Sequence, residues 1–201
     1  EFCCQRCRAG AGVPPSVQAV PGTQVCQSKF DDLQLQFQTK WQGGPKIASI
    51  WHVHNDQLVQ RHLAYCANIG NVPVKPPGKN PGNQQRRFHQ TVLQCNFNGT
   101  PCSGPGCNVC SIIRTGFSMS RAGNGSYGRG IYSSSMPSKA YGYGNQRGMF
   151  VVGVAVGVAD VSTNKGPLPA SCHSRVANGS NDELIVFNEA AIVPKYFIVF
   201  A

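Results

Sequence analysis

Three short segments carry side chains on which chemistry could be built. In Arg86-Arg87-Phe88-His89-Gln90-Thr91 a histidine sits on an apolar strand pattern and is followed by a hydroxyl. Its bland alternative is a half-buried imidazole satisfied by backbone. In Gly128-Arg129-Gly130-Ile131-Tyr132, followed by Ser133 to Ser135, Tyr141 and Tyr143, glycines allow close backbone approach to a ligand and tyrosines offer flat stacking faces. The alternative there is a turn with core tyrosines. In Asn181-Asp182-Glu183-Leu184-Ile185-Val186-Phe187 a carboxylate opens an apolar strand, against the alternative of an acidic strand edge. Carboxylates are scarce: after position 57 only Asp160, Asp182, Glu183 and Glu189 remain.

The ten cysteines form a second chemical resource. An even, high count suits disulfides in an oxidising compartment. The acceptor sequons at Asn98, Asn124 and Asn178 suit a secreted, glycosylated chain. Disulfides are therefore the first expectation. The alternative is zinc: Cys95, Cys102, Cys107 and Cys110 lie in one Gly/Pro-rich loop, and Cys107-x2-Cys110 has the spacing of a metal grip. Cys4, Cys7 and Cys26 make a partial set that lacks a fourth ligand nearby.

These groups need elements to hold them. Residues 1–27 are cysteine-, proline- and glycine-rich without periodicity. Ser28 to Trp41 places Phe30, Leu33, Phe37 and Trp41 at helical spacing. Lys46 to His54 reads as a strand, and Asn55 can cap a helix from Asp56 to Cys66. Residues 67–83 read as a surface loop. Gln85 to Leu93, Met149 to Val158, Glu183 to Phe187 and Tyr196 to Phe200 read as strands, and Ser135-x-Pro137 opens a short helix. Ser111 to Phe117 is short and apolar on one side. Strands outnumber helices without a strand–helix rhythm, so the fold class is α+β, mostly antiparallel split sheets with a few short helices, stapled by cysteines. Residues 1–40 form a Cys-rich N-terminal extension and residues 41–201 the main domain.

Composition bounds the rest. The 201 residues suffice for one compact domain with a real core. The 23 glycines and 14 prolines argue for many turns and against a long helical bundle. The longest nearly apolar run, Met149 to Ala159, falls short of the ~20 residues a membrane span takes. Eighteen basic against eight acidic residues give +10, a field that favours nucleic acid, anionic surfaces or phosphate-bearing ligands. The basic residues are scattered, with Arg86-Arg87 the exception.

Taken together and in this order, the three segments resemble the histidine–tyrosine–glutamate signature of the poly(ADP-ribose) polymerase catalytic domain, the diphtheria-toxin-like branch of the ADP-ribosyltransferases. Phe88-His89-Gln90-Thr91 is similar to that family's His-Gly-Ser/Thr. Gly128 to Tyr132, with Ser138-Lys139 and Tyr143, is similar to its Gly-Lys-Gly-Ile-Tyr run, Ser-Lys pair and second stacking tyrosine. Asp182 to Phe187, then Pro194-Lys195-Tyr196, is similar to its Asn-Glu-Tyr-Ile-Val-Tyr and closing strand. Ile50 to Asn55, with Leu58, resembles the strand and Asn before its first helix. The resemblance covers about residues 45–201, and the cysteine loop is loosely similar to that of fungal members. Gln90 departs from the family's glycine, Ala140 from a serine that often holds the nicotinamide amide. Asn181 leaves the chain without the Glu-x-Glu of arginine-modifying relatives.

The resemblance implies an ADP-ribosyltransferase fold, NAD+ as substrate, and a secreted, toxin-like enzyme acting as a monomer. It implies Glu183, His89 and Tyr132 as catalytic residues. Cofactor-binding residues would be His89, Gln90, Thr91, Gly130, Tyr132, Ser138, Tyr143 and Arg129, with Arg121 a weaker choice for the pyrophosphate. Transfer of single ADP-ribose units to a protein or nucleic-acid acceptor is the expected activity. NAD hydrolysis with water as acceptor, or a catalytically silent cysteine-stapled binding module, are the alternatives.

Overall fold

The structure is a computed structural model and describes residues 22–74, 78–161, 166–177 and 182–201. Cys3, Cys4, Cys7, Asn181 and the sequon at Asn178 lie outside the described residues.

The valine- and glycine-rich run that starts near Met149 forms β7 (Gly148–Ala155), and all eight of its residues are buried. An unbroken apolar run fits a strand covered on both faces. Phe150, Val152 and Val154 enter one core with Phe97, Phe117, Leu184 and Phe197. Met149 and Val151 enter the opposite core with Leu33, Phe37, Phe88 and Phe200.

Around β7 lie β1 (Thr23–Gln24), β2 (Ile47–His52), β3 (Gln84–His89), β6 (Ile131–Ser134), β8 (Ala159–Asp160), β9 (Ser174–Val176), β10 (Glu183–Val186) and β11 (Ile192–Phe200). They form one nine-stranded sheet in the order β1-β2-β11-β7-β3-β6-β10-β9-β8, antiparallel except for β8 and β9. The fold is α+β with a large, mostly antiparallel sheet and few helices. Split sheets are not seen as separate bodies: pairing is continuous, but its two halves meet through the single β3–β6 register pair Phe88↔Ser134. That pair is a narrow waist where β3 ends and the chain turns away. A small hairpin of β4 (Asn124–Gly125) and β5 (Gly128–Arg129) stands apart.

Helix α1 (Gln27–Lys40) buries Leu33 and Phe37, and the Phe37 ring lies 6.1 Å from Phe88 and 5.8 Å from Phe200. The described part of the 1–40 segment thus packs on the same core as the rest. Helix α2 (Asp56–Ile69) starts where Asn55 Oδ1 accepts the Leu58 amide at 3.3 Å, an N-cap. The same Asn55 side chain donates to Arg114 O at 2.9 Å. That carbonyl belongs to α3 (Asn108–Thr115), which buries Val109, Cys110 and Ile113. It ends at Gly116, whose φ of +83° suits glycine and whose added Cβ would sit 2.8 Å from Leu58 Cδ2. α4 (Pro137–Ala140) begins on proline and runs into a 3-10 turn at Tyr141–Tyr143. No helix among the described residues is long and apolar enough to cross a membrane.

Candidate active site

The waist of the sheet brings the three chemical segments together. In β6, Ser134 pairs with Phe88 of β3 on one side and with Glu183 of β10 on the other. Two residues earlier, Tyr132 pairs with Ile185, and its carbonyl accepts from His89 Nδ1 at 2.7 Å. A carbonyl can only accept, so Nδ1 carries the proton and a neutral ring keeps its lone pair on Nε2. Burial lowers the His89 pKa below the ordinary histidine value, with the Tyr132 carbonyl opposing in part. His89 is therefore neutral at pH 7. The Phe117 ring meets it edge-on at 5.0 Å.

A cavity of about 820 Å³ opens over this junction, within the ~300–1,000 Å³ of ordinary small-molecule sites. His89, Tyr132, Tyr143 and Glu183 all line it. Comparison with protein families and with curated proteins returns no match to this chain. The site is therefore read from its own geometry.

Glu183 is the one carboxylate among the described lining residues, against the cations Arg114, Arg121 and Lys139. Its side chain is 16% exposed, and Oε1 accepts from Tyr143 OH at 3.1 Å and pairs with Lys139 Nζ at 3.3 Å. Burial depresses the Lys139 ammonium, but its bond to and charge pairing with Glu183 outweigh this and hold it above the ordinary lysine value. Lys139 also lies 5.9 Å over the Tyr143 ring. The Tyr132 hydroxyl donates to Gly128 O at 2.7 Å and accepts from the Tyr127 amide at 3.0 Å, so the glycine-rich turn fixes the ring. Gly125 lies beneath that ring: an added Cβ would come 2.5 Å from Tyr132 Cζ.

Other expected residues divide. Thr91 and Gly130 line the cavity, and Thr91 Oγ1 accepts from Asn108 Nδ2 at 3.4 Å. Gln90 lines it too, but its side chain serves the scaffold, donating to Gly148 O at 3.1 Å and accepting from the Gly144 amide at 3.2 Å. Ala140 is on the wall, as a methyl group without a hydroxyl. Ser138 is exposed and outside the lining, and Arg129 turns away to Ser120 O at 2.7 Å. Arg121 does line the cavity.

Two contributors escaped the sequence reading. Arg87, which stood out in the sequence only as half of the adjacent basic pair, is 5% exposed and donates to both Asp182 O (3.1 Å) and Asp182 Oδ2 (2.9 Å). Asp182 has φ +44° and directly precedes Glu183, so the guanidinium clamps the backbone that launches the carboxylate. Asn108 is the other. Its signal was its position after Cys107, which the cysteine pattern overshadowed.

No disulfide joins one described cysteine to another. Where stapling was expected, the sulfurs of Cys95, Cys102, Cys107 and Cys110 gather within 4.8 Å of one another. Cys66, on α2, lies 3.6 Å from His62 Nε2, and Cys172 lies apart from both groups near Ser171.

Proposed function

We propose that this protein is an NAD-dependent ADP-ribosyltransferase that cleaves the nicotinamide–ribose bond and passes a single ADP-ribose unit to a protein or nucleic-acid acceptor. The observation that carries this reading is the convergence of His89, Tyr132, Tyr143 and Glu183, the one carboxylate among the described lining residues, on one cavity from three separate segments. It agrees with the resemblance noted in the sequence.

In this reading the nicotinamide ring lies between the Tyr132 and Tyr143 rings, whose faces suit a flat aromatic cation. Backbone groups of Gln90 hold its carboxamide. His89 Nε2 and Thr91 meet the adenine-side ribose, and Arg121 with the net +10 field draws in the pyrophosphate. As the C1′–N bond breaks, nicotinamide departs with the bonding pair and positive charge grows on the ribose. Glu183 lowers that barrier electrostatically, as carboxylates do in glycoside hydrolysis. Tyr143 and Lys139 both engage Oε1, which leaves Oε2 to orient a ribose hydroxyl. The acceptor nucleophile then bonds to C1′ and releases its proton to solvent.

The test is incubation with NAD labelled on the ADP-ribose half, together with mixed proteins, DNA and RNA. Nicotinamide release with label on a macromolecule is the expected result. Release without labelled macromolecule would make water the acceptor. Absence of release would overturn the enzymatic reading.

A further inference from the structure

The loop that ends in α3 gathers four sulfurs that the proposed reaction does not use. Cys95 Sγ lies 3.5 Å from Cys110 Sγ and 3.9 Å from Cys107 Sγ, and all four Sγ atoms fall within 4.8 Å of one another. Four sulfurs held tetrahedrally by zinc at ~2.3 Å sit ~3.8 Å apart. A disulfide instead brings each sulfur to one partner at ~2.05 Å. Here Cys95 faces two sulfurs at nearly equal range, the pattern of a shared centre. The Gln94 amide donates to Cys107 Sγ at 3.4 Å, the kind of outer donor that steadies a thiolate ligand. Cys107 and Cys110 are buried in the same core as Leu93, Phe97, Val109 and Ile113. The group contains no histidine or carboxylate, and an all-sulfur set selects a soft ion such as zinc over magnesium or calcium.

We propose that Cys95, Cys102, Cys107 and Cys110 bind one structural zinc ion that fixes a wall of the cavity. Cys107 immediately precedes α3 and Cys110 lies in its first turn. The same helix presents Asn108, Ser111, Ile112 and Thr115 to the cavity, and Asn108 reaches Thr91. Arg114 on this helix donates to the Cys102 carbonyl, tying the loop back to the helix. Four thiolates fill the tetrahedron, so no position remains open for water or substrate and the ion's role is to hold α3 in place. The proposal stands independently of the NAD reading, because metal content is measured without turnover.

The experiment measures zinc by mass spectrometry in the full chain and in its C102S, C110S and C172S variants, purified without chelator, with circular dichroism confirming the fold. C102S and C110S should each carry about one zinc fewer per chain than the parent, and C172S should match the parent. Cys102 is half-buried in the loop, so C102S serves where the buried C110S fails to fold. A second readout needs no variant. In the parent, alkylation of the four cysteines should speed up about tenfold or more once a chelator is added. Equal zinc in C102S and parent overturns the proposal. So do two disulfides among these four in chain isolated without reductant, alkylation indifferent to chelator, or stoichiometric iron in place of zinc.

Discussion

Strands β7 and β11 run for eight and nine residues, whereas β6 and β10 run for four each and carry Tyr132 and Glu183. The long half, β2, β11, β7 and β3, is held by apolar layers on both faces, with Phe150 and Phe197 rings 5.0 Å apart at its centre. The short half also buries Leu184, Ile185 and Val186, but one side of it looks into the cavity and lacks packing there. Polar contacts supplement it. Arg175, 2% exposed, meets Asp160 at 2.9 Å and the Gly166 and Pro167 carbonyls at 2.9 and 3.2 Å. Arg87 crosses the waist to Asp182 at 2.9 Å. A site that must stay open to a ligand cannot be filled by side chains, so directional bonds hold what packing cannot.

The largest effect should come from the long half. Phe197 is fully buried, and its ring lies 5.4 Å from Phe97 as well as 5.0 Å from Phe150. Phe197→Ala should destabilise the protein by about 3–5 kcal/mol in urea unfolding, the usual cost of emptying a buried aromatic site. A loss below about 1 kcal/mol would erase the contrast between the halves, since a surface position gives as little.

Glu183→Gln should invert that pattern. The carboxylate is removed while its shape and the Tyr143 contact are kept, so nicotinamide release should fall at least ~100-fold, a barrier change of roughly 2.7 kcal/mol. NAD binding by calorimetry and the urea midpoint should stay near those of the parent. Turnover within about threefold of the parent would remove Glu183 from its proposed role.

Much of this was legible from one sequence. The run from Met149 onward, the Leu33 and Phe37 face of α1, and the Asn55 cap are local patterns, and local patterns survive folding. His89, Tyr132, Tyr143 and Glu183 stood out because scarce side chains sat in unusual contexts, and their order along the chain carried the resemblance. What stayed hidden was non-local. Arg87 looked like half of a basic pair, because nothing near it in sequence reveals that Asp182 lies across the waist. Count and spacing left disulfides and a zinc site at Cys95, Cys102, Cys107 and Cys110 both open, because neither reveals that the folded loop brings all four sulfurs around one point. Helix α3 was seen only as a one-sided apolar stretch, since it is short and begins inside the cysteine loop.

Arg87→Met tests whether the clamp across the waist serves the site as well as the fold. The guanidinium is nearly inaccessible but the Asp182 side chain is 37% exposed, so solvent takes up part of the loss and destabilisation should be modest, about 1–3 kcal/mol. Its distinctive effect should be on kcat, down about tenfold with KM within about twofold, because the Glu183 backbone loses its alignment while the binding surfaces remain. Arg87→Lys keeps the charge but loses the planar fork that holds Nη1 on Asp182 while Nη2 donates to Gln85, and should recover only part of kcat. Equal falls in kcat for Arg87→Met and for an equally destabilising core variant would reduce Arg87 to a structural residue.

Acid should act on the long half through smaller, graded losses. His52 on β2 is held down to about 4, chiefly by burial and further by the charge of His54, whose ring lies 5.6 Å away. Burial also lowers His62 and His89. A histidine whose folded pKa is depressed binds fewer protons in the folded than in the unfolded chain below pH ~6.5, so stability is fully present above that value and declines as pH falls toward 4. The urea midpoint should thus be flat from pH 8 to ~6.5 and slope downward below it. His52→Gln should flatten part of that slope between pH ~6.5 and ~4 while leaving the neutral-pH plateau close to the parent, a difference that also separates His52 from any acid loss of a thiolate-bound ion. A variant slope identical to the parent's would mean that His52 already accepts its proton in the folded chain near the ordinary histidine value.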